Sequence, residues 1–313
     1  MNDTVQENRY DAKPFNRYLR IGVTPIPGPI GAQIECDGDI TSLDPQTIEE
    51  VHQAWLDHLV VVFRGRTLTD AELLRVGRYF GDLLESPPTA VQQGAQRPDP
   101  YISIISNVLE NGAPIGSLGN DEAIWHTDMS NTPVPPAASI LTSLEIPAGE
   151  GGETGFINMY EALRTLPADL HSQIQGQTIY HDGGRNSAGQ RRRHAISTSH
   201  PIIRTHPETK RNALYLGRRR DSRIDGLADA ESDALLDALW AHTIAQPAWH
   251  HDWKVGDTLI WDNRCAIHHR NAFDASARRI MHRTQTLGTV PVYSADALSS
   301  VHDRSRLAPE AHA

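Results

Sequence analysis

The chain has 313 residues, 39% hydrophobic and 22% charged, which is long enough to bury a sizeable core. Its formal net charge of −10 argues against a general nucleic-acid binder or a polybasic membrane anchor, because both need positive charge to meet phosphates. Two cysteines, Cys36 and Cys265, exclude a disulfide framework and a thiolate zinc site.

The opening stretch, MNDTVQENRYDAKPF, is polar and lacks an apolar core, so no secretory leader is expected. No long apolar run predicts a membrane span, and a cytoplasmic protein is the expectation. Residues 1–20 read as a tail. The segment Thr24–Gly31 is turn-rich and precedes a short strand at Ala32–Glu35. Asp44-Pro45 predicts a helix start, with Ile48, Val51, Trp55 and Leu59 on one apolar face. VVVFR at 60–64 reads as a buried strand. Thr69 and Glu72 form a capping box for a second helix lined by Leu73, Val76 and Phe80 and stopped by Gly81.

Residues 86–100 read as a Pro/Gln/Gly loop and YISIIS at 101–106 as a strand. Residues 107–122 are Gly- and Asn-rich, as lids often are. ASILTSLEI at 138–146 is another strand. Residues 159–175 look helical with a break at Pro167, and 181–200 look polar, basic and mobile. Asp229 is placed as the cap of a helix that buries Leu235, Leu236, Leu239 and Trp240. DTLIWDNR at 257–264 and RRIMHRTQTLG at 278–288 complete the strands. Short strands with helices clustered apart, and no regular βαβ alternation, predict a mainly β fold with peripheral helices, a sandwich or jelly roll. The expected division is one domain over 21–295, with a C-terminal tail at 296–313. The basic runs Arg191–Arg193 and Arg218–Arg220 are read as solvated surface, with an anion-binding role as the alternative. Neither a Walker loop nor a G-x-G-x-x-G motif is present.

The chemistry gathers in AIWHTDMSN at 123–131. On a strand, His126 and Asp128 would point to the same face and aim an imidazole and a carboxylate at one point. A histidine from another strand would complete a facial triad of the kind that holds non-haem iron(II) and leaves positions open. With 16 histidines, about one His-x-Asp arises by chance, and a second stands at His250-His251-Asp252. For that second pair the simple reading is a polar approach to a turn. His126 has better company. The apolar stretch ending in His268-His269 can supply a distal ligand. Arg279 and Arg283, at i and i+4 on the last strand, share a face. A guanidinium there needs a carboxylate to grip.

WHTDMS, GGET, WDNRCAIHHR and RRIMHRTQTLG resemble, in order and over residues 20–290, the taurine dioxygenase/2,4-dichlorophenoxyacetate dioxygenase family of Fe(II)- and 2-oxoglutarate-dependent oxygenases. HPETKRNALYLGRRR and the helix after it resemble the family too. The resemblance implies a double-stranded β-helix. It implies Fe(II) held by His126, Asp128 and His268, with 2-oxoglutarate and O2 as cosubstrates. His269 would face the other way. Thr154 and Arg279 would hold 2-oxoglutarate, and Arg283 would meet an acidic group on the substrate or support the cosubstrate. Ser106, Asn107 and Asn120 are loop candidates for substrate contact. The implied reaction oxidises a C–H of a small molecule carrying a carboxylate, sulfonate or phosphonate and releases succinate and CO2. Hydroxylation, desaturation and epimerisation stay open. A jelly-roll hydrolase or sensor that uses the metal without redox chemistry is the other reading. Family members are often dimers or tetramers, so a homo-oligomer is expected. Residues 84–122 and 181–200 depart from the taurine and phenoxyacetate enzymes, so neither substrate carries over.

Overall fold

The computed structural model describes residues 18–86, 99–189, 191 and 195–297. The expectations for 1–17, most of the 86–100 loop, part of the first arginine run and 298–313 lie outside them.

The elements run β1 (Ile21–Pro25), β2 (Ala32–Cys36), α1 (Pro45–His58), β3 (Val60–Phe63), α2 (Asp70–Gly77), β4 (Ser103–Ser106), β5 (Leu109–Glu110), β6 (Ala113–Pro114), β7 (Ser117–Leu118), β8 (Ala123–His126), β9 (Ala138–Glu145) and β10 (Thr154–Asn158). There follow α3 (Met159–Arg164), α4 (Ala168–Ile174), β11 (Thr178–His181), β12 (Thr198–Pro201), β13 (Ile203–Thr205), β14 (Asn212–Leu214), β15 (Arg223–Ile224) and α5 (Asp229–Ile244). The chain then forms β16 (Ala248–His251), β17 (Thr258–Asp262), β18 (Ala266–Arg270) and β19 (Ile280–Gln285).

Alternation along the strands builds two cores. In β3, Val61 and Phe63 join Ile140, Ile260, Trp55, Leu73 and Phe80 on the side covered by α1 and α2. Val60 and Val62 join Leu141, Leu259, Met281, Phe156 and Trp261 on the other side. The large sheet has eight strands in the order β1-β2-β3-β17-β9-β19-β4-β7, and the smaller one has four, β16-β10-β18-β8. Phe156 of the small sheet lies 5.7 Å from Trp261 of the large one, so the second core fills the space between them. Successive strands alternate between the sheets from β8 to β10 and again from β16 to β19. Helices α3–α5 and the strands among them form an insertion between β10 and β16.

Local signals set the helix starts. The Asp44 carboxylate accepts from the backbone N–H groups of Gln46 and Thr47 with Pro45 at the first turn, and Thr69/Glu72 close both arms of the capping box. Some expectations need correction. Asp229 is the first helical residue, not the cap; Ala228 occupies that position and makes no side-chain capping bond. The second helix leaves α geometry at Gly77 and continues as a 3-10 turn to Phe80 before Gly81. The 107–122 segment is not bare loop but carries β5, β6 and β7. Residues 181–200 are tied at both ends, because β11 pairs with β12 from Thr178↔Pro201 to His181↔Thr198. The apolar run reaching His268-His269 is two strands, not one. Asp262 ends β17, and Asp262 Oδ1 accepts from the Arg264 backbone N–H at 2.9 Å in a turn that carries the chain into the other sheet.

Candidate active site

His126 ends β8, and the register of β18 against β8 sets His268 opposite it, with ring centroids 4.2 Å apart. Asp128 arrives by a different route from the one expected. The strand stops at His126, and the chain turns through Met129 in the left-handed region, with φ 47°. The Thr127 N–H donates to Gly217 O at 2.8 Å and fixes that turn against the insertion. Asp128 Oδ1 then lies 3.6 Å from His126 Nε2 and 3.9 Å from His268 Nε2. One ligand atom from each of the three residues falls within 4.8 Å of the others, and all three are buried.

The protonation states suit a cation. His126 Nδ1 is 2.7 Å from Ile124 O; a carbonyl only accepts, so Nδ1 carries a hydrogen and Nε2 is the nitrogen left to face Asp128. Burial, then the field of His126, pushes the His268 imidazole well below its ordinary range, so it is neutral near pH 7. Burial alone would raise the Asp128 carboxyl, but Arg283 first, then His268 and His126, hold it well below the usual carboxylate range. Arg283 Nη1 sits 3.1 Å from Oδ1 and 3.2 Å from Oδ2. Ser139 Oγ and Gln285 Nε2 donate to Oδ2 at 2.9 and 3.1 Å. Two imidazoles and an ionised carboxylate are a donor set that fits a divalent transition metal.

A buried cation stands just ahead of β19, the strand that carries Arg283 and Gln285. Arg279 is 2% exposed, its Nε has no hydrogen-bond partner, and no carboxylate among the described residues pairs with it. Burial first, then Arg270, pushes its guanidinium down to about 9. A cation held this way calls for an anion. Thr154 opens β10 opposite Arg270 of β18, and its hydroxyl accepts from Trp253 Nε1 at 3.0 Å, which leaves its own hydrogen available. The glycines before it set the approach. Gly151 has φ 95°, and a Cβ there would lie 2.3 Å from Ala272 O. Neither the backbone oxygen nor the left-handed turn can give way cheaply. Gly151→Ala is therefore expected to lower stability by about 1–3 kcal/mol, seen as a reduced urea midpoint. An unchanged midpoint would refute the close-approach argument.

Arg283 was expected to meet the substrate's acidic group; in the structure its Nη1 is engaged with Asp128, and only Nε is buried without a partner. The three loop candidates are engaged with backbone. Asn107 donates to Ala277 O at 2.7 Å and accepts from the Arg279 N–H at 3.0 Å. Ser106 Oγ accepts from Val108 N, and Asn120 Nδ2 reaches Phe273 O at 3.5 Å. His269 lies on the far face of β18, 3.0 Å from His250, while His251 is buried on Asp257. The second basic run is mostly spent: Arg219 pairs with Asp233 and Asp237, and Arg218 donates to the carbonyls of Arg185 and Asp182.

A second group, His206, Asp262 and Cys265, has metal-like spacing but the wrong tautomer. His206 Nδ1 accepts from the Glu208 and Thr209 N–H groups, so Nε2 carries the hydrogen and donates it to Asp262 at 2.9 Å. Asp262 also takes Arg264 at 2.7 Å, which explains the polar turn as a buried brace. Sequence reasoning missed Ser139, Gln285, Trp253 and Arg270. Gln285 carried a signal: it lies two residues beyond Arg283 on the same strand face.

The comparisons agree with the geometry. A family model described as "Taurine catabolism dioxygenase TauD, TfdA family" matches residues 22–285. Pentalenolactone F synthase of Streptomyces arenae is 33% identical over 85% of this chain and 95% of its own. The alpha-ketoglutarate-dependent 2,4-dichlorophenoxyacetate dioxygenase of Burkholderia sp. (strain RASC) is 31% identical over 79% of this chain and 88% of its own. The crystal structure of AAD-2 in complex with Mn(II) and N-oxalylglycine superposes with a TM-score of 0.71 at 25% identity, covering 88% of this chain and 100% of that one. The chain belongs to the TauD/TfdA family of 2-oxoglutarate-dependent dioxygenases.

Proposed function

We propose that this dioxygenase uses Fe(II), held by His126, Asp128 and His268 on a double-stranded β-helix, to hydroxylate an unactivated C–H of a small anionic molecule. The observation that carries the reading is the pairing of a buried two-histidine, one-carboxylate cluster with a buried guanidinium that has no acid partner among the described residues. A dicarboxylate answers both needs, with one end at the metal and the other at Arg279. When bound, Fe(II), 2-oxoglutarate and O2 supply the oxidising chemistry, with succinate and CO2 as products.

The residues set the conditions. His126 is fixed in the ligand tautomer by Ile124 O. Ser139, Gln285 and Arg283 hold Asp128 ionised and oriented. Thr154 and Arg279 receive the far carboxylate, and Trp253 orients the Thr154 hydroxyl. Arg283 retains a buried N–H for a negative group on the substrate. The relative named for 2,4-dichlorophenoxyacetate acts on a carboxylate, which agrees with that choice of class.

The test is a visible spectrum under nitrogen. Apo-protein titrated with Fe(II) and then 2-oxoglutarate should develop a charge-transfer band that needs both additions and is absent in His268→Ala. A protein that binds Fe(II) but gives no band with 2-oxoglutarate would sink the reading.

A further inference from the structure

The cosubstrate pocket proposed above leaves one buried cation without a role. Arg270 is 5% exposed and lies two residues beyond His268 on β18. It makes no ion pair with a carboxylate among the described residues. Its Nη1 donates to Gly119 O at 3.0 Å, and its Nη2 reaches Leu118 O at 3.2 Å and also Asp121 O. Two further contacts join the same segments: the Phe273 N–H donates to Asn120 O at 3.2 Å, and Asn120 Nδ2 reaches Phe273 O. One guanidinium therefore gathers three carbonyls of the 118–121 loop onto the strand that presents His268.

This clasp sits at the cosubstrate pocket. Arg270 is in register with Thr154 across the β10–β18 ladder. The Phe273 ring has the Arg270 guanidinium carbon 5.3 Å and the Arg279 guanidinium carbon 6.0 Å from its centre. Phe273 also bridges to Gly151. The two arginines each keep a buried Nε without a hydrogen-bond partner. Two cations against one ring repel each other, and carbonyl dipoles offset that only in part. A carboxylate at Arg279 would offset the repulsion and so strengthen the clasp that Arg270 already makes on the loop.

We propose that Arg270 is a positioning residue that couples cosubstrate binding to ordering of the 117–122 segment, the end of β7 and the loop after it. The proposal rests on the assignment of the Arg279 pocket to 2-oxoglutarate. An arginine clasp suits this task because its fork reaches several carbonyls at once, which a lysine cannot do from one point. The loop lies against both the cosubstrate pocket and β8, so ordering it shapes the wall on the metal's side of the site.

The experiment is hydrogen exchange read by mass spectrometry on peptides covering 117–126, in the Fe(II)-loaded protein under nitrogen, with and without 2-oxoglutarate. The same samples give 2-oxoglutarate affinity from the charge-transfer band. Wild type should slow its exchange in this segment when 2-oxoglutarate is added. Arg270→Gln should exchange fast in both states and bind 2-oxoglutarate about tenfold more weakly, the loss of roughly one charge-assisted contact. Arg270→Lys should restore part of the affinity and little of the protection. Melting curves establish that each variant is folded, and the lysine variant serves if the glutamine one is not. Wild-type affinity in Arg270→Gln, whether or not loop protection is lost, overturns the coupling and leaves Arg270 a structural clasp. No 2-oxoglutarate binding by wild type itself overturns the cosubstrate assignment, and the proposal falls with it.

Discussion

Asp128→Ala is expected to abolish turnover, with a loss on the order of a thousandfold or more, and to strip the protein of bound metal. Changing a residue that only orients a metal ligand costs about 10–100-fold in metal affinity or activity, so removal of a ligand itself must cost more. The same variant should also be less stable without metal. Asp128 accepts from Arg283, Ser139 and Gln285, and its removal strands a largely buried guanidinium. Breaking such a pair costs about 3–5 kcal/mol. The pKa direction fixes the pH window. The Asp128 carboxyl is held well below its unfolded range, so its stabilising effect is present above the unfolded value near 3.8 and is lost as pH falls through the folded value. Metal content by elemental analysis and urea unfolding at pH 7 check the two halves. A metal-replete Asp128→Ala variant would remove Asp128 from the ligand set.

This double role shows what the sequence could reveal and what it could not. His126 and His268 were legible because a His-x-Asp pair and a distal histidine carry chemistry in their identities. The reason offered for Asp128, two positions on one strand face, fails because β8 ends at His126 and a left-handed Met129 completes the turn. The partners of Asp128 were not legible. Ser139 comes from β9, and Arg283 and Gln285 from β19; only the pairing of those strands, Gln285 against Ser139, brings them together. The same limit explains the run from Thr258 to Arg270. Its burial is continuous, yet Asp262 and Arg264 bend it into a second sheet, where His206 of the insertion hydrogen-bonds Asp262 and Glu208 pairs with Arg264. Helix starts fared better, since Asp44-Pro45 and Thr69/Glu72 act within one turn. The backbone partners of the loop candidates were hidden for a related reason. Asn107 is an ordinary turn residue by type, and only the fold shows that its side chain braces Arg279.

Arg279→Met is expected to separate binding from stability. The side chain keeps its stem and loses its charge. Affinity for 2-oxoglutarate should fall about a hundredfold or more, because removing one partner of a buried carboxylate–guanidinium contact costs about 2–5 kcal/mol. The apo-protein should nevertheless be as stable as wild type or more so. In wild type the guanidinium is buried with no acid opposite it among the described residues, and replacing such a charge by an apolar group of similar size is often stabilising. The sign follows from the direction of the shift. Its folded value is pushed down to about 9, well below its ordinary unfolded value, so the cost of holding the cation is fully present below about 9 and is relieved above it. The advantage of Arg279→Met should therefore be largest near pH 7 and shrink as pH rises past about 9. At a 2-oxoglutarate concentration that just saturates wild type, the melting temperature of wild type should rise by clearly more than that of the variant, since only wild type gains the ion pair. Calorimetric titration and thermal melts across that pH range check each part. Near-normal 2-oxoglutarate affinity would take Arg279 out of the cosubstrate pocket. A large loss of apo-stability would mean that its guanidinium already has a partner in the folded chain.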